Sequence, residues 1–203
     1  MNTNLTTFTA NHYETDKTNK TFTISNTDFL EAIFGSHSNL GRPILVSFKG
    51  NPADNDKKKW YGQPWKNNSQ VLLAVDANNY FSLACFKPNE AGEYRRKKSQ
   101  FQGLYAVMLD DIGTKANMER LTLPPSWILE TSPNNYQVGY ILAEAITNSK
   151  IADQLMNAIV NAGLCDPGAN GPTARLARLP VAVNGKHNPS FNCQLKLWSP
   201  EMI

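Results

Sequence analysis

The stretch Ala106-Val-Met-Leu-Asp-Asp-Ile-Gly-Thr-Lys115 is an apolar run that ends in two adjacent carboxylates and a glycine. The apolar part predicts a buried strand, and paired negative charge at its end needs a divalent metal ion or a cluster of cations as partner. Successive side chains of a strand point to opposite faces, so Asp110 and Asp111 can share one ion only if the strand ends or bulges between them. The alternative is that the pair only caps a turn or a helix.

The composition is that of one globular domain. The chain has 203 residues, of which 41% are hydrophobic and 18% charged, enough to bury a core. Cys85, Cys165 and Cys193 are far apart and show no C-x-x-C spacing, so neither disulfides nor a cysteine zinc site is predicted and a reducing cytoplasm is expected. No apolar run approaches the roughly 20 residues that span a bilayer. The net charge of +3 is compatible with a polyanionic partner without indicating one.

The hydrophobic pattern predicts many strands and few helices. Capped helices are expected over 25–34 and 147–162, and strands over 43–49, 70–75, 80–86, 127–130, 136–142, 179–183 and 193–198, besides the strand that ends at Asp111. The second helix would bury the face of Ile151, Leu155, Ile159 and Val160. Residues 70–86 would form a hairpin, residues 50–68 an exposed loop, and residues 1–24 an arm or edge strand. This order predicts an α+β domain on a largely antiparallel sheet.

Two arginines near the end of the chain suit an anion. Arg175 and Arg178 lie in an apolar stretch, where a guanidinium group is costly unless it meets a negative charge. A phosphate would satisfy this need, and so would an internal ion pair with Glu130 or Asp166. The Asp166-Pro-Gly stretch is by itself typical of a turn after a helix.

Two basic runs suggest contact with nucleic acid. Arg95, Arg96, Lys97 and Lys98 form one run, and Lys57-Lys-Lys-Trp60, followed by Tyr61 and Trp65, forms the other. Cations beside aromatic rings suit single-stranded nucleic acid, because bases stack on the rings while the phosphates are neutralised. The simpler interpretation is two solvated charged faces.

Four blocks, in this order, resemble the archaeo-eukaryotic primase superfamily, and most closely its RepB-like branch of plasmid and phage primases and primase-polymerases. The blocks are Leu109-Asp-Asp-Ile-Gly-Thr-Lys115, Thr131-Ser-Pro-Asn-Asn-Tyr-Gln137, Asp166-Pro-Gly168 and Arg178-Leu-Pro-Val-Ala-Val-Asn-Gly-Lys186. The resemblance covers residues 100–198. It implies one catalytic domain over 1–203, a two-part core in which an N-terminal α/β unit over 1–100 packs on a mainly antiparallel, RRM-like sheet over 101–203.

The resemblance also implies site residues. Asp110, Asp111 and Asp166 would be catalytic and would bind Mg²⁺ or Mn²⁺, while the nucleotide would be bound by Ser132, Gln137, Arg175, Arg178, Asn184 and Lys186. Gln137 stands where many relatives have a histidine, and an amide can donate a hydrogen bond but cannot transfer a proton. Many relatives also have acidic residues two positions apart in the first block, whereas here the pair is adjacent.

The function implied is that of a DNA primase or primase-polymerase of plasmid or phage replication, a nucleotidyltransferase acting on a single-stranded DNA template with NTP or dNTP. A replicative helicase, in cis or in trans, would be its partner. One alternative is a non-catalytic replication-initiation or single-strand DNA-binding module of the same fold. A nuclease or relaxase is the other, although His12, His37 and His187 do not form the cluster that a relaxase needs.

Overall fold

The computed structural model describes residues 21–35, 41–54, 57–168, 171 and 175–202, with the side chains of Lys57 and Lys59 left aside. Most of the predicted N-terminal arm, and with it His12, lies outside these residues, as does His37. The end of the arm is described: Phe22 forms an antiparallel bridge with Leu195.

Two α-helices and ten strands are found in this part of the chain, besides three short 3-10 helices. The helices are α1 (Asn26–Phe34) and α2 (Ser149–Asn161). The strands are β1 (Arg42–Phe48), β2 (Gln63–Pro64), β3 (Asn78–Phe86), β4 (Phe101–Ile112), β5 (Trp127–Ser132), β6 (Asn135–Ile146), β7 (Leu176–Arg178), β8 (Val183–Asn184), β9 (Phe191–Asn192) and β10 (Gln194–Trp198).

One antiparallel sheet carries the fold, in the order β10-β5-β6-β4-β3-β1-β2, with β8 and β9 forming a separate pair. All strand pairs in both sheets are antiparallel. The predicted α+β class with a mainly antiparallel sheet is confirmed. The sheet is continuous through the predicted boundary at residue 100, because β3 pairs with β4. The division into two parts stays a prediction.

The short strand β7 positions the candidate site. β3 pairs with β4 only near its end, at Ala84 to Phe86, and β4 then leaves it. The freed edge of β3, from Tyr80 to Ser82, pairs instead with β7. The arginine-bearing segment is therefore inserted next to the acidic end of β4, although the two are far apart in sequence.

Helix α1 covers the core, and its prediction is confirmed. Its N-cap is Ser25, whose Oγ accepts a hydrogen bond from the backbone N–H of Asp28 at 3.0 Å. The ring of Phe29 packs edge-on against Phe81 and Trp127, with centroid distances of 5.6 and 5.5 Å. These aromatic contacts hold the helix on the centre of the sheet.

Helix α2 is confirmed, but the predicted buried face is wrong at one edge. Asn148 caps the helix, and Gly163 ends it with φ of 65°. The buried side chains are Ala152 and Met156, whereas Ile151 is 50% exposed. The stripe that packs on the sheet has helical spacing through Ala152, Met156 and Ile159, so Ile151 lies beside it.

Two predictions for residues 50–86 are wrong. Residues 70–75 form no strand, so there is no hairpin, and β1 pairs with β3 instead. The backbone N–H of Val71 donates to Thr27 Oγ1, and Leu72 is 86% exposed, so this segment crosses the surface without joining the sheet. The predicted loop over 50–68 contains β2 and buries Trp65. Neither α1 nor α2, the described helices, has the length and apolar character to cross a membrane.

The contact between Gly139 and Trp127 gives a stability prediction. A Cβ atom at Gly139 would overlap the fully buried indole of Trp127. We expect Gly139→Ala to lower the free energy of unfolding by about 3 kcal/mol, because overpacking a rigid core displaces neighbouring groups. Urea denaturation measures this change. Gly103→Ala is the matched control in β4, since its Cβ would meet Ala145 at an ordinary 3.4 Å; a similar loss in both variants would contradict the explanation.

Candidate active site

The acidic end of β4 contains the bulge that a shared ion requires. Asp110 and Asp111 lie where the register between β4 and β6 shifts, and Asp111 has φ of 56°. The Oδ1 atom of Asp110 accepts from Gln137 Nε2 at 3.2 Å, and Oδ1 of Asp111 accepts from Asn135 Nδ2 at 2.8 Å. Asn135 and Gln137 are two residues apart on β6 and share a face. Both carboxylates are therefore held on the same side of the sheet.

A tight turn follows the bulge. The carbonyl oxygen of Asp111 accepts from the backbone N–H of Lys115 at 2.9 Å and of Ala116 at 3.2 Å. Gly113 has φ of 93°, and a Cβ there would lie 2.5 Å from the Asn134 carbonyl oxygen, so the position requires glycine. The turn directs Lys115 back over the carboxylate of Asp111, with Nζ 2.8 Å from Oδ2.

The third predicted carboxylate, Asp166, meets the first two. Its backbone N–H donates to the carbonyl oxygen of Asp110 at 3.2 Å. Its Oδ2 lies 3.1 Å from Lys115 Nζ, and its Oδ1 accepts from the N–H of Gly168. The structure thus brings Asp110, Asp111 and Asp166 to one end of β4. Their catalytic and metal-binding roles stay predictions.

Burial raises the pKa of Asp110, and the nearby charge of Asp111 adds to this effect, while Arg175 and the hydrogen bond from Gln137 oppose it. Burial acts in the same direction on Asp111, but hydrogen bonds from Lys115 and Asn135 outweigh it, so the pKa of Asp111 is lowered. The negative charge of Asp110 is therefore less well stabilised by its surroundings than the charge of Asp111. A bound cation would supply what it lacks.

Gln137 is a positioning residue in this geometry. It is 5% exposed, and it uses both ends of its amide inside the protein. Besides donating to Asp110, it accepts at Oε1 from the backbone N–H of Arg178 at 2.8 Å. The side chain thus links β6 to β4 and to β7. Its predicted contact with phosphate has no support from these bonds.

Arg178 and Asn184 form a buried, hydrogen-bonded polar cluster. Arg178 donates through Nη1 to the carbonyl oxygen of Val183 at 2.7 Å and through Nη2 to Asn184 Oδ1 at 2.9 Å, and its guanidinium lies 4.5 Å from the Tyr80 ring centroid. Asn184 Nδ2 donates to the carbonyl oxygen of Thr131. These bonds tie β7 and β8 to the end of β5. The predicted contact of both residues with a nucleotide stays untested.

The alternative ion pairs for the arginines do not occur in the described residues. Glu130 pairs with Lys196 at 3.0 Å, and Asp166 pairs with Lys115. Arg175 is 6% exposed and donates through Nη2 to Cys165 Sγ at 3.1 Å, while its Nε and Nη1 have no hydrogen-bond partner among the residues that the structure describes. Leaving two donors of a buried guanidinium unpaired is costly. Arg175 therefore retains donors for an anion beside Asp110.

Ser132 and Lys186 lie at the rim of this site. Ser132 ends β5, is half-buried, and pairs across the sheet with Asn135, the residue that holds Asp111. Lys186 is exposed, and its charge contributes to lowering the pKa of Asp111. Ser132 is thus adjacent to the residue that holds Asp111, and Lys186 is near enough to Asp111 for its charge to act on it.

The two basic runs meet in one surface, called the Tyr61 surface and formed by Trp60, Tyr61, Arg95 and Arg96. Arg96 Nη2 donates to the carbonyl oxygen of Trp60 at 3.0 Å, and the Arg95 guanidinium lies 5.9 Å from the Tyr61 ring centroid. Trp60 packs on Tyr80, whose ring contacts the guanidinium of Arg178. The Tyr61 surface is therefore next to the buried polar cluster.

One cation of the basic runs is paired with helix α2 instead. Lys98 pairs with Asp153 of α2 at 2.7 Å, which separates it from the Tyr61 surface. Lys97 is exposed, and the side chain of Lys57 lies outside the described part of the chain. The prediction that these residues bind nucleic acid is not tested by their positions.

Sequence reasoning assigned no role to Lys115, Asn135 or Asn78. The first two stand inside the quoted blocks, so their positions were a usable signal. Asn78 accepts from Arg178 Nη1 and from the N–H of Gly185, and nothing in its neighbourhood in the sequence indicates that contact.

Comparison with known proteins supports the fold. The sequence matches no protein-family model and no curated protein. Among solved structures, the AEP domain of the cyanophage S-2L primase-polymerase is 12% identical with a TM-score of 0.50, over 85% of this chain and 91% of that chain. The catalytic domain of primase RepB′ in complex with initiator DNA is 15% identical with a TM-score of 0.53, over 87% of both chains.

A further structure, of primase RepB′, is 14% identical with a TM-score of 0.50, over 86% of this chain and 57% of that chain. At these identities the likeness shows the fold. The chain has the fold of primase catalytic domains of the archaeo-eukaryotic, RepB-like type, and the prediction of this fold is confirmed.

The pKa values of Asp110 and Asp111 are shifted in opposite directions, and this predicts how the free energy of unfolding depends on pH. Because the pKa of Asp110 is raised on folding, its ionisation destabilises the metal-free fold, and this penalty disappears as the pH falls below the usual carboxyl range. We expect Asp110→Asn to raise the free energy of unfolding at about pH 7 and to have little effect at about pH 3, measured by urea denaturation in EDTA.

Asp111→Asn is the matched control with the opposite sign. Its carboxylate has a lowered pKa, so its charge stabilises the fold above the usual carboxyl pKa, and that contribution is lost as the pH falls. We expect this variant to be less stable than the wild type at about pH 7. Equal stabilisation by both substitutions would show that the two carboxylates do not differ as described.

Proposed function

We propose that this chain is the catalytic domain of a DNA primase or primase-polymerase, which joins nucleotides on a single-stranded DNA template. The observation that carries the proposal is the convergence of Asp110, Asp111 and Asp166 at the bulge of β4, within a fold of primase type. Two of these carboxylates already share one cationic group, the ammonium of Lys115.

The carboxylates fit Mg²⁺ or Mn²⁺. Their oxygens are the ligands that these hard cations prefer. Within the described residues, no group of three or more aspartate, glutamate, histidine or cysteine side chains forms a ready-made metal cage. Mg²⁺ commonly binds one or two carboxylates together with substrate phosphates and water. Asp111 and Asp166 would hold such an ion, with Asp110 next to them.

Nucleotide binding would be divided between buried and exposed groups. When bound, the metal supplies Lewis-acid activation of the attacking 3′-hydroxyl and neutralises charge on the leaving pyrophosphate. Arg175 would donate its unpaired N–H groups to a phosphate oxygen, and Ser132 and Lys186 would contact the triphosphate at the rim. Gln137 would position Asp110 through the hydrogen bond that it donates to the carboxylate.

The template would lie on the Tyr61 surface. Tyr61 is 69% exposed and has the Arg95 guanidinium beside its ring, which suits a stacked base and its phosphate. The structurally similar RepB′ domain is in complex with initiator DNA. We propose that this chain binds DNA as well. We also propose that it acts in the cytoplasm, in plasmid or phage replication, with a replicative helicase as its partner.

The decisive experiment is primer synthesis on single-stranded DNA with labelled NTPs or dNTPs and Mg²⁺ or Mn²⁺. We expect short products from the wild type and a loss of at least about 100-fold in Asp110→Ala, Asp111→Ala and Asp166→Ala, because these groups would hold the ion at the reacting atoms. Asp153→Ala is the control, since this aspartate lies on α2 and pairs with Lys98. Absence of products with intact DNA binding would instead support the non-catalytic binding module.

A second experiment tests the template surface. We expect Tyr61→Ala to weaken binding of a single-stranded oligonucleotide by about 1–3 kcal/mol, because a stacking platform is removed. Arg95→Ala should reduce the salt dependence of log Kd by roughly one counter-ion. Fluorescence anisotropy at several salt concentrations measures both effects.

Lys98→Ala is the matched control for the template surface, because it removes a cation of the same run that pairs with α2. We expect it to leave affinity near the wild-type value. If all three substitutions weakened binding alike, general basicity and not the Tyr61 surface would explain the affinity.

A further inference from the structure

Lys115 has an unusual position among the ion-paired lysines of the described residues. Its Nζ lies 2.8 Å from Asp111 Oδ2 and 3.1 Å from Asp166 Oδ2, so one ammonium bridges two carboxylates from separate chain segments. The pairs Lys98–Asp153, Lys49–Asp76 and Lys196–Glu130 each involve one carboxylate.

The backbone around Lys115 fixes this arrangement. The N–H of Lys115 is bonded to the carbonyl oxygen of Asp111, and the N–H of Gly113 closes the turn on the carbonyl oxygen of Ala116 at 2.7 Å. On the other side, the N–H of Asp166 is bonded to β4 at Asp110. Both carboxylates and the start of the lysine side chain are thus anchored to the same strand end.

The lysine side chain, in contrast, is more exposed than the two carboxylates that it bridges. The Lys115 side chain is 53% exposed, whereas the side chains of Asp111 and Asp166 are 23% and 21% exposed. A flexible four-carbon side chain can leave such a position without opening the turn. The carboxylates would then face each other without a cation between them.

We propose that Lys115 is a built-in counter-cation that a divalent ion must displace, and that the triphosphate of the nucleotide then takes up the released ammonium. This inference rests on the proposed function, because it concerns the same metal and nucleotide. An ion and the ammonium cannot both occupy the space shared by Asp111 and Asp166. The metal alone therefore binds weakly, and binding of the metal is coupled to binding of the nucleotide.

The chemistry of the ammonium supports this coupling. Lysine has three N–H donors and a compact charge, which suit phosphate oxygens as well as carboxylates. Displacement by the metal alone leaves the ammonium with water. A triphosphate next to the metal gives it a new anionic partner, so that each ligand favours the other and the coupling is reciprocal.

The test is Mn²⁺ binding, followed by the EPR signal of free Mn²⁺, without catalysis. Lys115→Met removes the competing charge and keeps the length of the side chain. Exposed ion pairs are modest in strength, so we expect this variant to bind Mn²⁺ alone roughly three- to tenfold more tightly than the wild type. Lys98→Met, which breaks an equally short pair on α2, should bind as the wild type does.

A second titration measures the coupling, with Mn²⁺ in the presence of a non-hydrolysable α,β-imido nucleoside triphosphate. The analogue should increase Mn²⁺ affinity more in the wild type than in Lys115→Met, because only the wild type has an ammonium to transfer. Equal Mn²⁺ affinity of wild type and Lys115→Met, or weaker binding by the variant, would overturn the inference.

The outcomes also separate this inference from the proposed function. If the wild type and Lys115→Met bind Mn²⁺ equally and Asp111→Asn abolishes binding, the metal site stands and the role of Lys115 is wrong. If neither the wild type nor Lys115→Met binds Mn²⁺, with or without the analogue, both the metal site and the role of Lys115 are overturned.

Discussion

The amide of Gln137 is the contact on which the candidate site depends. It donates to the carboxylate of Asp110 on β4 and accepts from the backbone of Arg178 on β7, so one buried side chain of β6 joins three strands. β4 pairs with β3 only at Ala84 to Phe86, and β7 pairs with the edge of β3 that is left free. Without a polar link from β6, the inserted strand would leave the N–H of Arg178 buried and unpaired. The geometry of the acidic end follows from this link.

Around that link the protein keeps charges that are only partly compensated. Burial raises the pKa of Asp110, and Arg175 has two buried donor atoms without partners in the described part of the chain. Such groups cost stability unless a ligand completes them, and they are concentrated in functional sites. Arg178, by contrast, is satisfied by neutral acceptors of the chain itself. The difference between the two arginines separates a group available for a ligand from a group that holds the fold.

The sequence alone was informative where the signal is local. The capped helix over 25–34, the strands β5 and β6 and the apolar strand before Asp110 each follow from short patterns of caps, turns and alternation. The same rules failed for residues 70–75, where an apolar run binds to α1 through Val71 and stays outside the sheet. They also placed Ile151 on the buried face of α2, because periodicity defines a stripe but not its exact orientation on the sheet.

What the sequence by itself determined was the α+β class and most helices and strands. The three carboxylates were proposed from the sequence, and their roles stay predictions. Only the tertiary structure decided that Asp166 meets Asp111 through Lys115, that Gln137 is used inside the protein, and that Arg95 and Arg96 lie beside Tyr61 and Trp60. The physical reason is the distance along the chain over which each kind of interaction acts. Caps, turns and periodicity act over a few residues, whereas the insertion of β7 beside β3 and the pairing of charges from distant segments depend on how the whole sheet is assembled.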